Sequence, residues 1–448
     1  MTDWQQKDLE HIWHPYTQMS TLEEQPPLPI ESAQGVKLYD ADGNWYYDTI
    51  ASWWCNVHGH GHPRIRQAVA QQMERLDHTL FAAVAHEPAA DLSERLVHMT
   101  PAPLRRVFYS DDGSTAVEVA LKMSIQSWRN RDRGDKELFI CLDPGYHGDT
   151  IGCMSVSGVD LFRRAFGPVM FDSVSVPAPF CYRCPVGEDS ETCEVECLAL
   201  LEEALERHAG QTAAVIMEPL LLAAGGMITY PTSYLSGAAH LARKFGAHLI
   251  LDEVATGFGR TGTMFACRQA NISPDFLCLS KGITGGTLPL AATLTTRDVF
   301  EAFLGPEGSE KTFYHGHTYT ANPAGCAAAL ASLNLFEEEE TLENVTERSE
   351  QLRERTQPMA ELPYVGEVRN LGMMAALDLV ENEEKRVPLP DGHELLRELY
   401  RAGLERNVIL RPIGNVVYFF PPLCTTEDEL DDMLDRAGEA LNEVLRSA

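Results

Sequence analysis

Six short apolar runs, RRVFYS, ELFICL, AAVIME, AHLILDE, DFLCLS and LAATLTT, fall between about residue 105 and residue 325, separated by stretches with helical spacing. Continuous apolar runs of this length read as strands covered on both faces. Their alternation with helices predicts an α/β architecture with a mostly parallel sheet and crossover helices. Upstream, VKLYDADGNWYYDTI places two β-rich runs around Asp42-Gly43-Asn44, the pattern of a hairpin. Residues 64–99 carry apolar positions at mixed three- and four-residue spacing and predict helix, and 325–360 predict one long helix leaving the sheet. Its Glu337–Glu340 run predicts a solvated face. Beyond it, strands (MMAALDLV, VVYFFPP) and helices (HELLRELYRAGLERN, TEDELDDMLDRAGEALNEVL) mix as in an α+β domain. Residues 1–35 are expected to be irregular, because Pro26, Pro27 and Pro29 interrupt any helix. The expected division is an N-terminal segment, 1–60, packing with a small C-terminal domain, 329–448, beside a large domain, 61–328.

Composition changes this picture mainly through charge. The 448 residues hold 36 Lys+Arg against 66 Asp+Glu, a formal net charge of −30. Such a surface repels phosphate backbones and anionic membranes, so nucleic acid and membrane are not expected partners. Lysine supplies only eight of the 36 basic residues. A high-salt cytoplasm and a codon bias toward Arg both fit that imbalance. Eleven scattered cysteines do not form a secreted disulfide framework. The opening MTDWQQKDLEHIW lacks the basic-then-apolar order of a signal peptide, and no run of about 18 apolar residues occurs, so a cytoplasmic protein is expected.

The chemistry gathers at the ends of the apolar runs, where open α/β sheets bind ligands. AHLILDEVATGFGRTG ends a strand in Asp252-Glu253 before a Gly-rich turn. A carboxylate there either meets a cation or caps the turn. DFLCLSKGITGG ends another strand in Ser280-Lys281. A lysine between apolar and glycine flanks sits in a dry site that lowers its amine pKa, as carbonyl chemistry needs. In FYSDDGSTAVEVALKM, Gly113 and Ser114 open a helix that can hold a phosphate or simply be N-capped. DPGYHGDT carries Tyr146, a ring able to lie on a flat cofactor, and His147. A lysine for an imine, an acid for a ring nitrogen, a phosphate cup and a stacking ring together describe a pyridoxal 5′-phosphate site.

In order and spacing these pieces resemble the class III aminotransferases of fold type I, with DEVATGFGRTG followed by SKG as the family signature; the resemblance spans nearly the whole chain. HIWHPYTQM, SWWCNVHGHGHP, HGHTYTANP and RPIGNVVYFFPP are similar to one branch of that family, which aminates 8-amino-7-oxononanoate to 7,8-diaminononanoate in biotin biosynthesis. That resemblance implies S-adenosylmethionine as amino donor. Lysine as donor, or another ω-amino acid or diamine transaminase of the family, is the alternative. It implies Lys281 as the amine that condenses with the cofactor and moves the proton, and Asp252 as partner of the ring nitrogen. Gly113 and Ser114 hold the phosphate, and Tyr146 stacks on the ring facing the substrate. His317 and Thr318 reach the phosphate of a neighbouring subunit, so a homodimer with shared sites is expected. Tyr16, Trp53 and Trp54 form an apolar wall and Gly316 admits the substrate chain. Arg411 grips the substrate carboxylate as a fork, with Tyr418 beside it. Trp53 and Trp54 could instead be core filling, and Arg411 a helix-end cation.

Two features depart from that pattern. In IMEPLLLAAGGM, Leu222 stands where the family usually carries a Gln near the cofactor's phenolic oxygen, and Asp112 adds negative charge near the phosphate cup. Cys181, Cys184, Cys193 and Cys197 have a C-x₂-C-x₈-C-x₃-C spacing that could hold a tetrahedral zinc or be a loop with free thiols. The chemistry needs no metal, and none is expected.

Overall fold

The computed structural model describes residues 2–189, 192–382, 384–390 and 394–447. The six apolar runs all become strands of one seven-stranded sheet: β1 (Leu104–Ser110), β2 (Leu138–Asp143), β3 (Val174–Pro177), β4 (Thr212–Met217), β5 (His248–Asp252), β6 (Phe276–Leu279) and β7 (Ala291–Thr296). The spatial order is β1-β7-β6-β5-β4-β2-β3. Only β7 runs against its neighbours; the other pairings are parallel. β3, absent from the sequence reading, is a short edge strand with a mostly uncovered pattern, so it carries no continuous apolar run.

Both faces of the sheet are covered. Along β5, Leu249 and Leu251 join the larger apolar cluster with Leu235 and Leu333, while Ile250 joins Ala116, Val117 and Phe276 on the opposite face. This is the two-residue period of a strand with helices on each side. The helix Gly113–Arg129 begins where Asp112 accepts from Thr115 N at 3.0 Å in a capping box, a device whose removal costs about 1 kcal/mol.

A second sheet, built on Val365–Asn370, Ala375–Asn382 and Val416–Phe419, packs with the helices Thr341–Thr356, Glu394–Glu405 and Glu427–Ser447. Leu352, Leu377, Phe419, Leu434 and Leu441 form its core, and Val36 and Tyr47 of the N-terminal segment belong to the same cluster. The hairpin pairs Lys37–Asp40 with Trp45–Tyr47, as expected.

The structure corrects three expectations. Residues 1–35 are not irregular throughout: Thr2 and Gln5 cap a helix over Asp3–His11, ahead of the prolines, and Ile30–Gln34 adds a third strand to the hairpin. The stretch 64–99 is two helices, Pro63–Arg75 and Glu87–Met99. The stretch 325–360 is also two, Pro323–Glu338 and Thr341–Thr356, because Glu340 turns left-handed at φ 48°. Glu337, Glu338 and Glu339 are exposed, as expected, and pair with Arg95, Arg64 and His62.

Arg260, from the Gly-rich turn after β5, crosses between the two sheets. Its buried guanidinium donates to Met373 O at 2.7 Å and Pro421 O at 2.8 Å, and lies 3.8 Å from the Phe420 ring centroid. Among the described residues no helix is long and apolar enough to cross a membrane.

Candidate active site

β5 and β6 run parallel with Asp252 opposite Cys278, so the chain leaving β6 brings Lys281 beside the Asp252 carboxylate end of β5. Both residues line one cleft of about 800 Å³, together with Gly113, Ser114, Tyr146, Tyr16, Trp53, Trp54, Arg411 and Tyr418. Ten of the residues singled out in the sequence therefore converge from seven separate stretches of chain.

Asp252 is 4% exposed. Its Oδ2 lies 2.7 Å from His147 Nδ1, and its Oδ1 accepts from Val254 N at 3.0 Å. The next residue, Glu253, turns away from the cleft: its carboxylate accepts from Ala266 N and Cys267 N at 2.7 and 2.8 Å, and burial pushes its pKa up to about 7. Of two adjacent strand-end acids, one therefore faces the cleft and the other anchors the backbone beyond the turn. Lys281 stands at φ 45°, a strained conformation for a side-chain-bearing residue. Burial lowers its amine pKa, against the opposing pull of Asp252, Glu218 and Cys55, which leaves a larger neutral fraction for attack on a carbonyl.

The phosphate end is shaped by close packing. A Cβ on Gly113 would come within 2.6 Å of Val254, and one on Gly148 within 2.1 Å of Ser114 Oγ, so the cup admits backbone only. Asp112 acts here as the helix cap. Tyr146 is held by its own N–H, which donates to Glu218 Oε1 at 3.1 Å, while Glu218 Oε2 accepts from Ala223 N at 3.0 Å. Burial pushes Glu218 up to about 7. Leu222 is fully buried in the core and does not line the cleft, so it offers no polar contact to a ligand there.

The outer wall is aromatic. Tyr16 OH lies 3.0 Å from Tyr146 OH and donates to Asp149; burial, helped by Asp149, pushes its pKa up to about 12. Trp54 Nε1 donates to Tyr418 OH at 3.2 Å, and its ring centroid is 4.8 Å from Lys281 Nζ. The Arg411 guanidinium sits 4.8 Å from the Trp53 ring centroid. Both tryptophans belong to a run of four left-handed residues, Ala51, Ser52, Trp53 and Trp54, with φ between 45° and 73°. A left-handed turn costs roughly 1–2 kcal/mol per residue with a Cβ.

His147, Glu218 and Asp149 were not selected from the sequence. His147 follows Tyr146 directly, and that adjacency was the only signal for it; its Nε2 is buried without a hydrogen-bond partner. Glu218 ends the AAVIME run, a position as telling as that of Asp252. Gly316 and Thr318 are exposed and do not line this cleft, and His317 Nδ1 lies 2.8 Å from Oδ2 of Asp111, which does. Cys181, Cys184, Cys193 and Cys197 are free thiols. Among the described residues no group of three or more His, Cys, Asp or Glu is placed to hold a metal ion.

This arrangement fits a flat, phosphorylated, pyridine-type cofactor: a lysine and a carboxylate at neighbouring strand ends, a backbone-lined anion cup and a tyrosine held at the side. Residues 19–441 match the model of the family described as aminotransferase class-III. The chain is 44% identical over 445 residues to the adenosylmethionine-8-amino-7-oxononanoate aminotransferase of Geobacter sulfurreducens, covering 99% of this chain and 98% of that one. The crystal structure of the enzyme of the same name from Methanocaldococcus jannaschii superposes with a TM-score of 0.93 at 40% identity, covering 98% of each chain. An amine transaminase from an uncultivated Pseudomonas species, solved in its PLP-bound form, superposes with the same TM-score at 35% identity, covering 97% of this chain and 99% of that one.

Proposed function

We infer that this chain, which belongs to the class-III aminotransferase family, transfers an amino group to 8-amino-7-oxononanoate, making 7,8-diaminononanoate for biotin synthesis with S-adenosylmethionine as donor. The observation that carries this reading is the facing of two walls across one cleft. Lys281 and Asp252 stand at adjacent strand ends, opposite a paired-tryptophan surface with Arg411 against it.

The cofactor is pyridoxal 5′-phosphate, which when bound supplies an aldehyde for amine exchange and a ring that draws electrons from the reacting carbon. Lys281 would hold that group through its Nζ and would move the proton at the substrate carbon. Asp252, oriented by His147, holds the proton at the ring nitrogen. Gly113 and Ser114 hold the phosphate at a helix N-terminus. Tyr146, anchored through its N–H to Glu218, would stack on the ring on the side the substrate enters. Tyr16, Trp53 and Trp54 exclude water and receive the aliphatic chain. Arg411 takes the substrate carboxylate as a bidentate fork, and Tyr418 fixes the Trp54 indole. Asp149 places a negative charge near Tyr16, where a cationic amine of either substrate can sit.

The working unit is a homodimer with shared sites, in which His317 and Thr318 reach the neighbour's cofactor phosphate and Gly316 borders the neighbour's substrate. Exposure of Gly316 and Thr318 supports this, as do Trp13 (85%), Tyr314 (83%) and Tyr319 (59%), aromatic surface of the kind that interfaces bury. The partners are otherwise small molecules. Eleven free thiols support a cytoplasmic setting. The chain divides functionally at 1–60, 61–328 and 329–448, with the catalytic strand ends in the second part and Arg411 and Tyr418 in the third.

The test is a donor screen on purified holoenzyme. S-adenosylmethionine, lysine and no donor are compared at fixed 8-amino-7-oxononanoate, and product is read by mass spectrometry. Product with S-adenosylmethionine is expected. Product with lysine alone moves the donor. Product with neither, alongside turnover of simple amines with pyruvate, replaces the substrate assignment with an ω-amino acid or diamine transaminase; the amine transaminase neighbour, equal in TM-score, is the observation behind that second reading.

A further inference from the structure

Four consecutive residues with side chains, Ala51–Trp54, hold left-handed φ angles of 47°, 45°, 73° and 71°, and none is glycine or asparagine. A stretch of this kind does not persist unless its surroundings over-determine it. The sequence supplies no reason for it, since ASWW reads as an ordinary apolar turn. Backbone hydrogen bonds close the turn, from Trp54 N to Ile50 O at 2.9 Å and from Cys55 N to Ala51 O at 3.0 Å, and one side chain ties it to the sheet. Asp48, 1% exposed, accepts from Ser52 N at 2.8 Å through Oδ1, and from Ser52 Oγ at 2.7 Å through Oδ2. The same Oδ2 lies 2.8 Å from His60 Nε2. His60 is fixed in turn, its backbone exchanging hydrogen bonds with Gly35 at 2.7 and 3.1 Å. The Asp48 N–H donates to Val36 O at 2.9 Å, so the carboxylate stands on the N-terminal sheet rather than on the turn it holds.

We propose that Asp48 is a positioning residue for substrate selection: its carboxylate, backed by His60, locks the left-handed turn that aims the Trp53 and Trp54 indoles into the cleft. The claim rests on the reading that these indoles receive the aliphatic chain of the substrate. Asp48 touches neither substrate nor reacting atoms; it acts through Ser52. Its charge also favours the buried Arg260 guanidinium and disfavours ionisation of Cys55 and Tyr418. A test must therefore separate the two roles, and Ser52 does so. Glycine adopts left-handed φ without steric cost, so Ser52→Gly lowers the need for a lock while leaving Arg260 untouched.

The experiment measures kcat and KM for 8-amino-7-oxononanoate and the near-ultraviolet circular dichroism of the indoles in holoenzyme carrying Asp48→Ala, with and without Ser52→Gly. Asp48→Ala is expected to raise KM about tenfold while kcat stays within about threefold, the pattern of lost binding rather than lost chemistry. It should also change the indole bands. Adding Ser52→Gly is expected to return KM to within about threefold of wild type and to restore the bands. Unchanged KM and bands in Asp48→Ala overturn the proposal. So does a KM rise that Ser52→Gly leaves in place, which assigns Asp48 to the charge of Arg260 instead. If Asp48→Ala does not fold, Asp48→Leu, near in size and without an acceptor, takes its place under the same criteria. Should wild type fail to turn over this substrate, the error lies in the substrate assignment and the indole bands decide alone: altered by Asp48→Ala and restored by Ser52→Gly supports the lock, unaltered sinks it.

Discussion

The two walls of the cleft are built on opposite principles. The inner wall stands on the sheet: Asp252 ends β5, Lys281 follows β6, and the ladder between these strands fixes their separation before any side chain contributes. The outer wall stands on irregular chain: Tyr16 in the N-terminal segment, Trp53 and Trp54 in a left-handed turn, and Arg411 in the loop before Val416–Phe419. Reactive groups sit where geometry is determined by many mutually supporting hydrogen bonds. The groups proposed to choose the substrate sit where a few side-chain contacts determine it. A loop can be reshaped without disturbing the ladder, so a family can vary its substrates while keeping its chemistry.

Substitutions on the inner wall should therefore change rate, and those on the outer wall affinity. The largest expected effect is that of Lys281→Ala, which should lower kcat by more than about 10³-fold, since Lys281 is the group proposed to move the proton, while far-ultraviolet circular dichroism stays as in wild type. Asp252→Asn should follow, with a kcat loss on the order of 10²-fold, the scale seen when one preorganised electrostatic partner is removed. A fall in KM comparable to the fall in kcat would show that the acid acts on the bound ground state instead. Arg411→Ala should leave kcat nearly unchanged and raise KM for the carboxylate substrate by about 10- to 100-fold, because hydrogen bonds to a charged group contribute about 1.5–3 kcal/mol. A kcat loss without a KM change would erase the distinction between the walls.

The smallest effect concerns stability. Burial raises the folded-state pKa of Glu218 from the ordinary glutamate value of about 4.5 to about 7. Between those values the folded protein binds more protons than the unfolded chain, so this group makes stability fall as pH rises from about 4.5 to 7, and flat above. Glu218→Gln should remove its share of that slope, read as a shallower decline of Tm from pH 5 to 7.5. Glu253, also raised to about 7, keeps part of the slope in the variant.

The inner wall was legible in the sequence because its residues end continuous apolar runs, a pattern one strand can display alone. Lys281, Asp252 and the Gly113–Ser114 cup were found that way, and resemblance gave them roles. Glu218 ends a run just as visibly, yet its task is to accept two backbone N–H groups, which no local pattern announces. The outer wall was reached through resemblance alone. Nothing in ASWW signals a left-handed turn, because the residue enforcing it, Asp48, acts through a side-chain hydrogen-bond set and through His60, twelve positions away. The helix breaks near Glu340 and between residues 76 and 86 were missed because apolar residues recur at helical spacing on both sides of each break, even where the halves bury into different clusters, Ile65 in one and Leu92 and Leu96 in another. β3 was missed because an edge strand needs little apolar character.

Arg260 gives the family signature a second use. The stretch that delivers Asp252 to the inner wall also sends a guanidinium into the carbonyls of Met373 and Pro421, in the body that carries Arg411 and Tyr418. Anyone grafting a C-terminal region from a relative to alter substrate choice would have to keep the backbone path that presents these two main-chain carbonyls to Arg260. Without that path the graft would carry the right side chains at the wrong angle to Asp252.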